Sequence, residues 1–296
     1  MDKLVIGCGY LGHRVARAWL AQASNVWAMT RSPARGEEFA REGFRPVVAD
    51  ICDAATLRAL PAVQIILFAV GYDRTSGRSQ QSVYVDGLRN VLQRLPTPPQ
   101  RLIYISSSSV YGQSNGEWVD ETSECIPSQP GGQCCLQAEE LVKVALPDQA
   151  SILRLSGIYG PGRLLSRLES LRAREPIAGR PDAWLNLIHV DDAAAAVLAS
   201  EHRGSGGDTT LVTDSLPVRR EEYYRLLAQL SGTPAPVFNP ESPAARGSGG
   251  LNKRCLNRRM REILQVQLTY PTINEGLPHS LTSSEGWNSE RTSPVG

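Results

Sequence analysis

Short apolar runs and amphipathic stretches alternate along the first half of the chain. Largely apolar runs fall at residues 4–6, 26–29, 46–48, 65–69, 102–106 and 151–155. Each is too short for a helix and lacks polar alternation, the pattern of strands buried on both faces. Between them, residues 11–23, 33–42, 54–60, 82–95 and 136–144 carry apolar positions at helical spacing. Strand and helix taking turns imply right-handed crossovers, so the fold class is α/β with a doubly wound parallel sheet.

After Leu155 the rhythm changes. Gly157, Gly160, Pro161 and Gly162 interrupt it, and a helix is expected over 164–174, a strand over 185–188 and a helix over 191–200. An amphipathic helix follows at 219–230 and a Pro/Gly/Ser-rich loop at 231–250. A short strand at 252–254 and a basic helix near 257–264 come next. From His279 the composition turns to Ser, Thr, Glu and Gly, which reads as a disordered tail.

Composition narrows the partners. Hydrophobic residues make up 41% and charged residues 21%, the balance of a globular protein. The formal net charge of +1 leaves no basic field for nucleic acid or an anionic membrane. The apolar start, Leu4-Val5-Ile6, meets a glycine too soon for a leader, and no run is long enough to span a bilayer. A cytoplasmic protein with a small-molecule substrate is therefore expected, and no pattern sets its oligomeric state. Six cysteines stand without a Cys-x-x-Cys pair or a histidine at zinc spacing, so free thiols and no metal site are expected.

The chemistry begins at the first turn. Gly7-Cys8-Gly9-Tyr10-Leu11-Gly12 fits G-x-G-x-x-G, directly after a strand and opening a helix. Gly7 permits the tight turn, Gly9 lets the backbone approach a pyrophosphate, and Gly12 lets helix and strand pack closely. The N–H groups of the helix start then face the phosphates. The second strand ends in Thr30-Arg31-Ser32, without the acid that reads the ribose 2′-hydroxyl in NAD enzymes. Arg31, with Thr30 and Ser32, suits a 2′-phosphate, so NADP is the expected cofactor, with NAD possible. A solvated surface arginine is the alternative. Asp50-Ile51, after the third strand, would flank the adenine; Ala69-Val70-Gly71, after the fourth, would line the pyrophosphate.

With these residues in place, the chain resembles the extended, atypical short-chain dehydrogenase/reductase family, the NAD-dependent epimerase/dehydratase group. The likeness covers most of residues 1–200. Tyr104-Ile105-Ser106-Ser107-Ser108-Ser109-Val110-Tyr111-Gly112 looks like the family's fifth strand and active-site serine. Leu153-Arg154-Leu155-Ser156-Gly157-Ile158-Tyr159-Gly160-Pro161-Gly162 is similar to its sixth strand and nicotinamide-side turn. Asn186-Leu187-Ile188-His189-Val190-Asp191-Asp192 resembles its IHVDD segment. The resemblance implies Ser107 as the group that hydrogen-bonds the reacting oxygen, with Tyr111 as a further catalytic candidate. It also implies Ser106 and Ile158 on the cofactor, and Arg163, Asn186 and His189 toward the substrate.

The resulting organisation is a Rossmann-type domain over 1–160, rejoined by 184–204. A smaller substrate lobe comprises 161–183 and 205–280, and the tail 281–296. One departure stands out. The family's Tyr-x-x-x-Lys dyad, placed by Leu136-Gln137-Ala138-Glu139-Glu140-Leu141, falls on Gly131 and Cys135. A substitute acid would come from Tyr84, Tyr111 or Tyr159. Two functions follow: an NADP-dependent oxidoreductase or epimerase-like enzyme for a small polar substrate, sugar-like by resemblance alone, or a catalytically silent dinucleotide-binding sensor or partner protein.

Overall fold

The computed structural model of the chain describes residues 1–242 and 251–282. In chain order, the first half forms β1 (Asp2–Ile6), α1 (Gly12–Ala21), β2 (Asn25–Thr30), α2 (Pro33–Arg41), β3 (Arg45–Val48) and β4 (Ile65–Phe68). It continues with α3 (Gly87–Arg94), β5 (Arg101–Ser107), β6 (Glu117–Val119), α4 (Pro130–Ala145) and β7 (Ala150–Leu155). The second half adds β8 (Gly157–Tyr159), α5 (Leu165–Arg172), β9 (Ile177–Ala178), β10 (Trp184–Leu185), β11 (Leu187–His189), α6 (Val190–His202) and β12 (Thr209–Val212). It ends in β13 (Val218–Arg219), α7 (Arg220–Ser231), β14 (Phe238–Asn239), β15 (Lys253–Cys255), α8 (Arg258–Glu262) and α9 (Ile273–Thr282).

Seven parallel strands form the main sheet in the order β12-β7-β5-β4-β1-β2-β3. The winding reverses between β1 and β4, which opens a crevice at their carboxyl ends. Alternate residues of one strand serve opposite faces: Val5 packs under α1 and α6, Leu4 and Ile6 under α3 and α4. The alanine run 193–196 of α6 keeps side chains small where that helix meets α1. Lys3 is buried in the first strand because Glu201 of α6 meets its Nζ at 2.5 Å, while Trp19 Nε1 donates to the same carboxylate at 2.7 Å. A third apolar cluster, with Leu164, Leu168, Tyr223, Leu227 and Leu277, binds α5, α7 and α9 together beside the sheet.

Several expectations need correction. Thr209–Val212, assigned to the lobe, is the edge strand of the main sheet beside β7. The expected strand at 185–188 is two strands, because the Asn186 side chain turns aside to hold Lys253 O and Cys255 N. The expected helix 54–60 is a single 3₁₀ turn, Thr56–Ala59, and that at 82–95 opens as a wide π turn, Gln81–Asp86. Helix α4 starts six residues earlier than the apolar pattern indicates. Pro130 occupies its first turn, and Gly132 lies flush on Ser109 O, where a Cβ would stand at 2.3 Å. Residues 279–282 are helical, not tail, because Leu277 and Ser280 are buried against the lobe. The rest of the expected tail lies outside the described residues. Among the described residues no helix is long and apolar enough to cross a membrane.

Candidate functional site

A cleft of about 510 Å³ lies at the carboxyl ends of β1, β2, β4 and β5. Its floor is the first turn. Gly7 has φ +93°, and a Cβ there would stand 2.5 Å from Ala69 C and O. A Cβ on Gly12 would stand 2.4 Å from Gly7 O, so this glycine sets the packing of α1 on β1 and does not line the cleft. Gly9 differs: a Cβ would meet nothing within 4 Å. No side chain caps the start of α1. The turn therefore presents a helix N-terminus to open space, the arrangement that accepts an anion.

Most residues read from the sequence line this cleft. They comprise Gly7, Gly9, Tyr10 and Leu11 from the turn, Thr30 and Arg31 from the end of β2, and Asp50 and Ile51 beyond β3. Ala69, Val70 and Gly71 follow β4; Ser106, Ser107, Ile158 and Arg163 complete the set. Arg163, expected toward a substrate, stacks on the Tyr10 ring at 4.4 Å. Arg14 also packs on that ring, at 4.5 Å, and Tyr10 Oη donates to Pro161 O at 2.9 Å. Burial pushes the Tyr10 phenol up to about 12.

Besides Gly12, four predicted residues lie elsewhere. Ser32 caps α2, its Oγ accepting Arg35 N at 3.3 Å. Tyr111 is wholly buried and its hydroxyl accepts Arg154 Nη1 at 2.8 Å. Asn186 is spent on the β15 backbone. His189 is also wholly buried; its Nδ1 accepts Asp191 N at 3.3 Å at the start of α6, and its Nε2 faces His279 Nδ1 at 3.2 Å. Burial lowers His189 to about 4, so it is neutral at ordinary pH. These two histidines and Asp191 bring ligand atoms within 4.8 Å of one another, a grouping that required α9.

The cleft also holds residues that sequence reasoning missed. The loop after β4 contributes Asp73 and Arg78. Asp73 faces Arg31 at 3.6 Å, and both side chains are about half exposed. Arg78 grips Asp50 with two bonds of 2.8 and 2.7 Å, holding that carboxyl below the usual range. Arg35 of α2 lies on the same side and pairs with Glu38. Only helix phase could have signalled Arg35, four residues past Arg31. Nothing local marks Asp73 or Arg78.

Beneath the cleft runs a buried polar chain. Ser106 Oγ donates to Glu139 Oε1 at 2.5 Å, and Arg154 meets Glu139 through Nε and Nη2 at 2.9 and 2.6 Å. This pair ties α4 to β5 and β7 and fixes how α4 faces the cleft. Gly131 and Cys135 therefore occupy a defined position on α4. Cys135 lines the cleft, and burial pushes its thiol up to about 12, so it carries no charge. Gly131 faces Gln80, whose Nε2 would stand 3.0 Å from an added Cβ. Ser107 Oγ accepts Ser109 N at 3.1 Å, which leaves its own hydroxyl hydrogen for another acceptor.

Known proteins resemble this chain over most of its length. Protein YeeZ of Escherichia coli K12 is 26% identical over 260 residues, 82% of this chain and 88% of that protein. The 3-diazoavenalumate denitrifying reductase of a Streptomyces species is 28% identical over 307 residues, 94% of this chain and 99% of that one. The structure of UDP-glucuronic acid 4-epimerase from Bacillus cereus, in complex with NAD, superposes with a TM-score of 0.75 at 20% identity, over 97% of this chain and 99% of that one. That likeness speaks for the fold. The model of the NAD dependent epimerase/dehydratase family matches residues 4–211, and the chain belongs to that family.

Proposed function

We propose that the cleft binds NADP(H) and that the protein is an NAD(P)-dependent oxidoreductase or epimerase-like enzyme acting on a small polar substrate. The observation that carries cofactor binding is the uncapped start of α1 beside Gly9, whose missing side chain leaves open space at the turn. The residues present fit a dinucleotide. Gly7, Gly9 and the first residues of α1 would hold the pyrophosphate. Asp50 and Ile51 would border the adenine, and Arg31, Thr30 and Arg35 would take a 2′-phosphate. Bound there, the nicotinamide would supply or accept a hydride. Ser107 would hydrogen-bond the reacting oxygen, and Ile158 and Arg163 would close the same end of the cleft.

NADP over NAD rests on charge. No carboxylate ends β2, and two guanidinium groups, Arg31 and Arg35, lie at that edge. One relative is a reductase by name and one structural neighbour is an epimerase. Titration calorimetry with NADPH and NADH tests the reading: NADPH should bind more tightly, and failure of both to bind would end it. A silent binding protein is the second reading. It is favoured by Gly131 and the uncharged Cys135 thiol where the family's proton-transfer dyad is expected.

A further inference from the structure

We infer that Tyr84 faces the nicotinamide end of the cleft and donates the proton that the missing dyad tyrosine would have supplied. This rests on the cofactor reading above. Three tyrosines are candidates, and the fold separates them. Tyr111 is wholly buried with its hydroxyl on Arg154, and Tyr159 is wholly buried, packed on Gly276 with its hydroxyl toward Thr272 O. Tyr84 lines the cleft together with Ser107 and Cys135. The other tyrosines on the cleft are Tyr10, which gives its hydroxyl to Pro161 O, and Tyr104, which is 2% exposed and packs into the core beneath the sheet.

A second observation concerns the backbone. Tyr84 sits inside the π turn Gln81–Asp86, immediately before α3 continues as a regular helix. Such turns sacrifice regular hydrogen bonding and recur where a side chain must be aimed. The Tyr84 ring is braced by Tyr72 at 6.2 Å between centroids and is half-buried against the Cys135 side of α4. Burial and the neighbouring Cys135 raise its phenol, and the Tyr72 backbone amide pulls it back.

The proton step balances simply. When a carbonyl carbon gains a hydride with its two electrons, the C=O π pair moves to oxygen. The Tyr84 O–H bond breaks and an O–H bond forms on the product. The phenolate regains its proton from water, since the cleft is open. A phenol is a stronger acid than an alcohol, so the transfer runs toward product. With Cys135 in the lysine position the ammonium of the family's dyad is missing, and turnover should be slow.

The test combines binding, spectroscopy and turnover on the full chain. Protein labelled with 3-fluorotyrosine gives one fluorine resonance that is absent from Tyr84→Phe. That resonance should move on adding NADP⁺ and take a different position with NADPH, because only the nicotinamide ring changes charge. Tyr84→Phe should bind NADPH within about threefold of wild type and reduce a small α-keto ester about 10²–10⁴-fold more slowly. A resonance indifferent to cofactor, or one at the same place with both forms, overturns the inference. So does turnover unchanged in Tyr84→Phe. If wild type does not reduce the ester, the fluorine shift alone decides. Absence of NADP(H) binding by calorimetry would instead reject the cofactor reading itself.

Discussion

Gly9→Val should abolish dinucleotide binding without unfolding the protein, and its neighbours should behave in the opposite way. The structure supplies the reason. A Cβ on Gly9 meets nothing within 4 Å, whereas one on Gly12 stands 2.4 Å from Gly7 O and one on Gly7 stands 2.5 Å from Ala69. Valine at position 9 therefore projects into the space where a pyrophosphate must approach the backbone. Each charge-assisted hydrogen bond between a backbone N–H and the phosphate is worth about 1.5–3 kcal/mol. Breaking one weakens binding roughly 10- to 150-fold, and displacing the pyrophosphate breaks several. Stability should stay within about 1 kcal/mol, because nothing is displaced and the unfolded chain loses some freedom. Gly12→Ala pushes carbon into backbone oxygen and should cost about 1–3 kcal/mol or more in folding. Titration calorimetry with NADPH and chemical denaturation of each variant measure both sides. A folded Gly9→Val protein with wild-type NADPH affinity would refute the phosphate-site assignment.

Further outcomes follow from the same structure. Arg31→Ala should weaken NADP binding by about 1.5 kcal/mol and leave NAD nearly unchanged, measured by calorimetry; equal losses would show that Arg31 does not read the phosphate. Asp73→Asn, which frees Arg31 from its 3.6 Å partner, should tighten NADP severalfold, and unchanged affinity would mean the pair is open in solution. Glu139→Gln strands the Arg154 guanidinium, 5% exposed, and should cost about 3–5 kcal/mol by urea denaturation. Asp214 is buried with Oδ2 unpartnered, and burial pushes its carboxyl up to about 8. The native state thus holds a proton that the unfolded chain releases near 3.8, so this residue makes stability fall as pH rises from about 4 to about 8 and level off above. In Asp214→Asn that part of the slope should vanish in denaturation midpoints taken across the range.

Period and punctuation were enough for six of the seven strands of the main sheet. Six short, largely apolar runs, each flanked by a helical pattern, became β1, β2, β3, β4, β5 and β7, because strands covered on both faces are mostly apolar. The first turn was equally legible, since its glycines answer a local steric demand. Gly131 and Cys135 lie on one continuous helix, α4. What the sequence left open was decided by contacts across the chain. Asp73 and Arg78 reach the cleft on a loop with no periodic signal, and they matter only because Arg31 and Asp50 stand opposite. Tyr111 and Tyr84 look equivalent as residues; Arg154, 43 positions from Tyr111, buries one, while a π turn carries the other to the cleft. His189 carries a familiar motif, yet α9 and Tyr270 close over it. Local chemistry writes strands, turns and helix phase into the sequence, but the partner of a side chain depends on which distant segments the sheet order brings beside it.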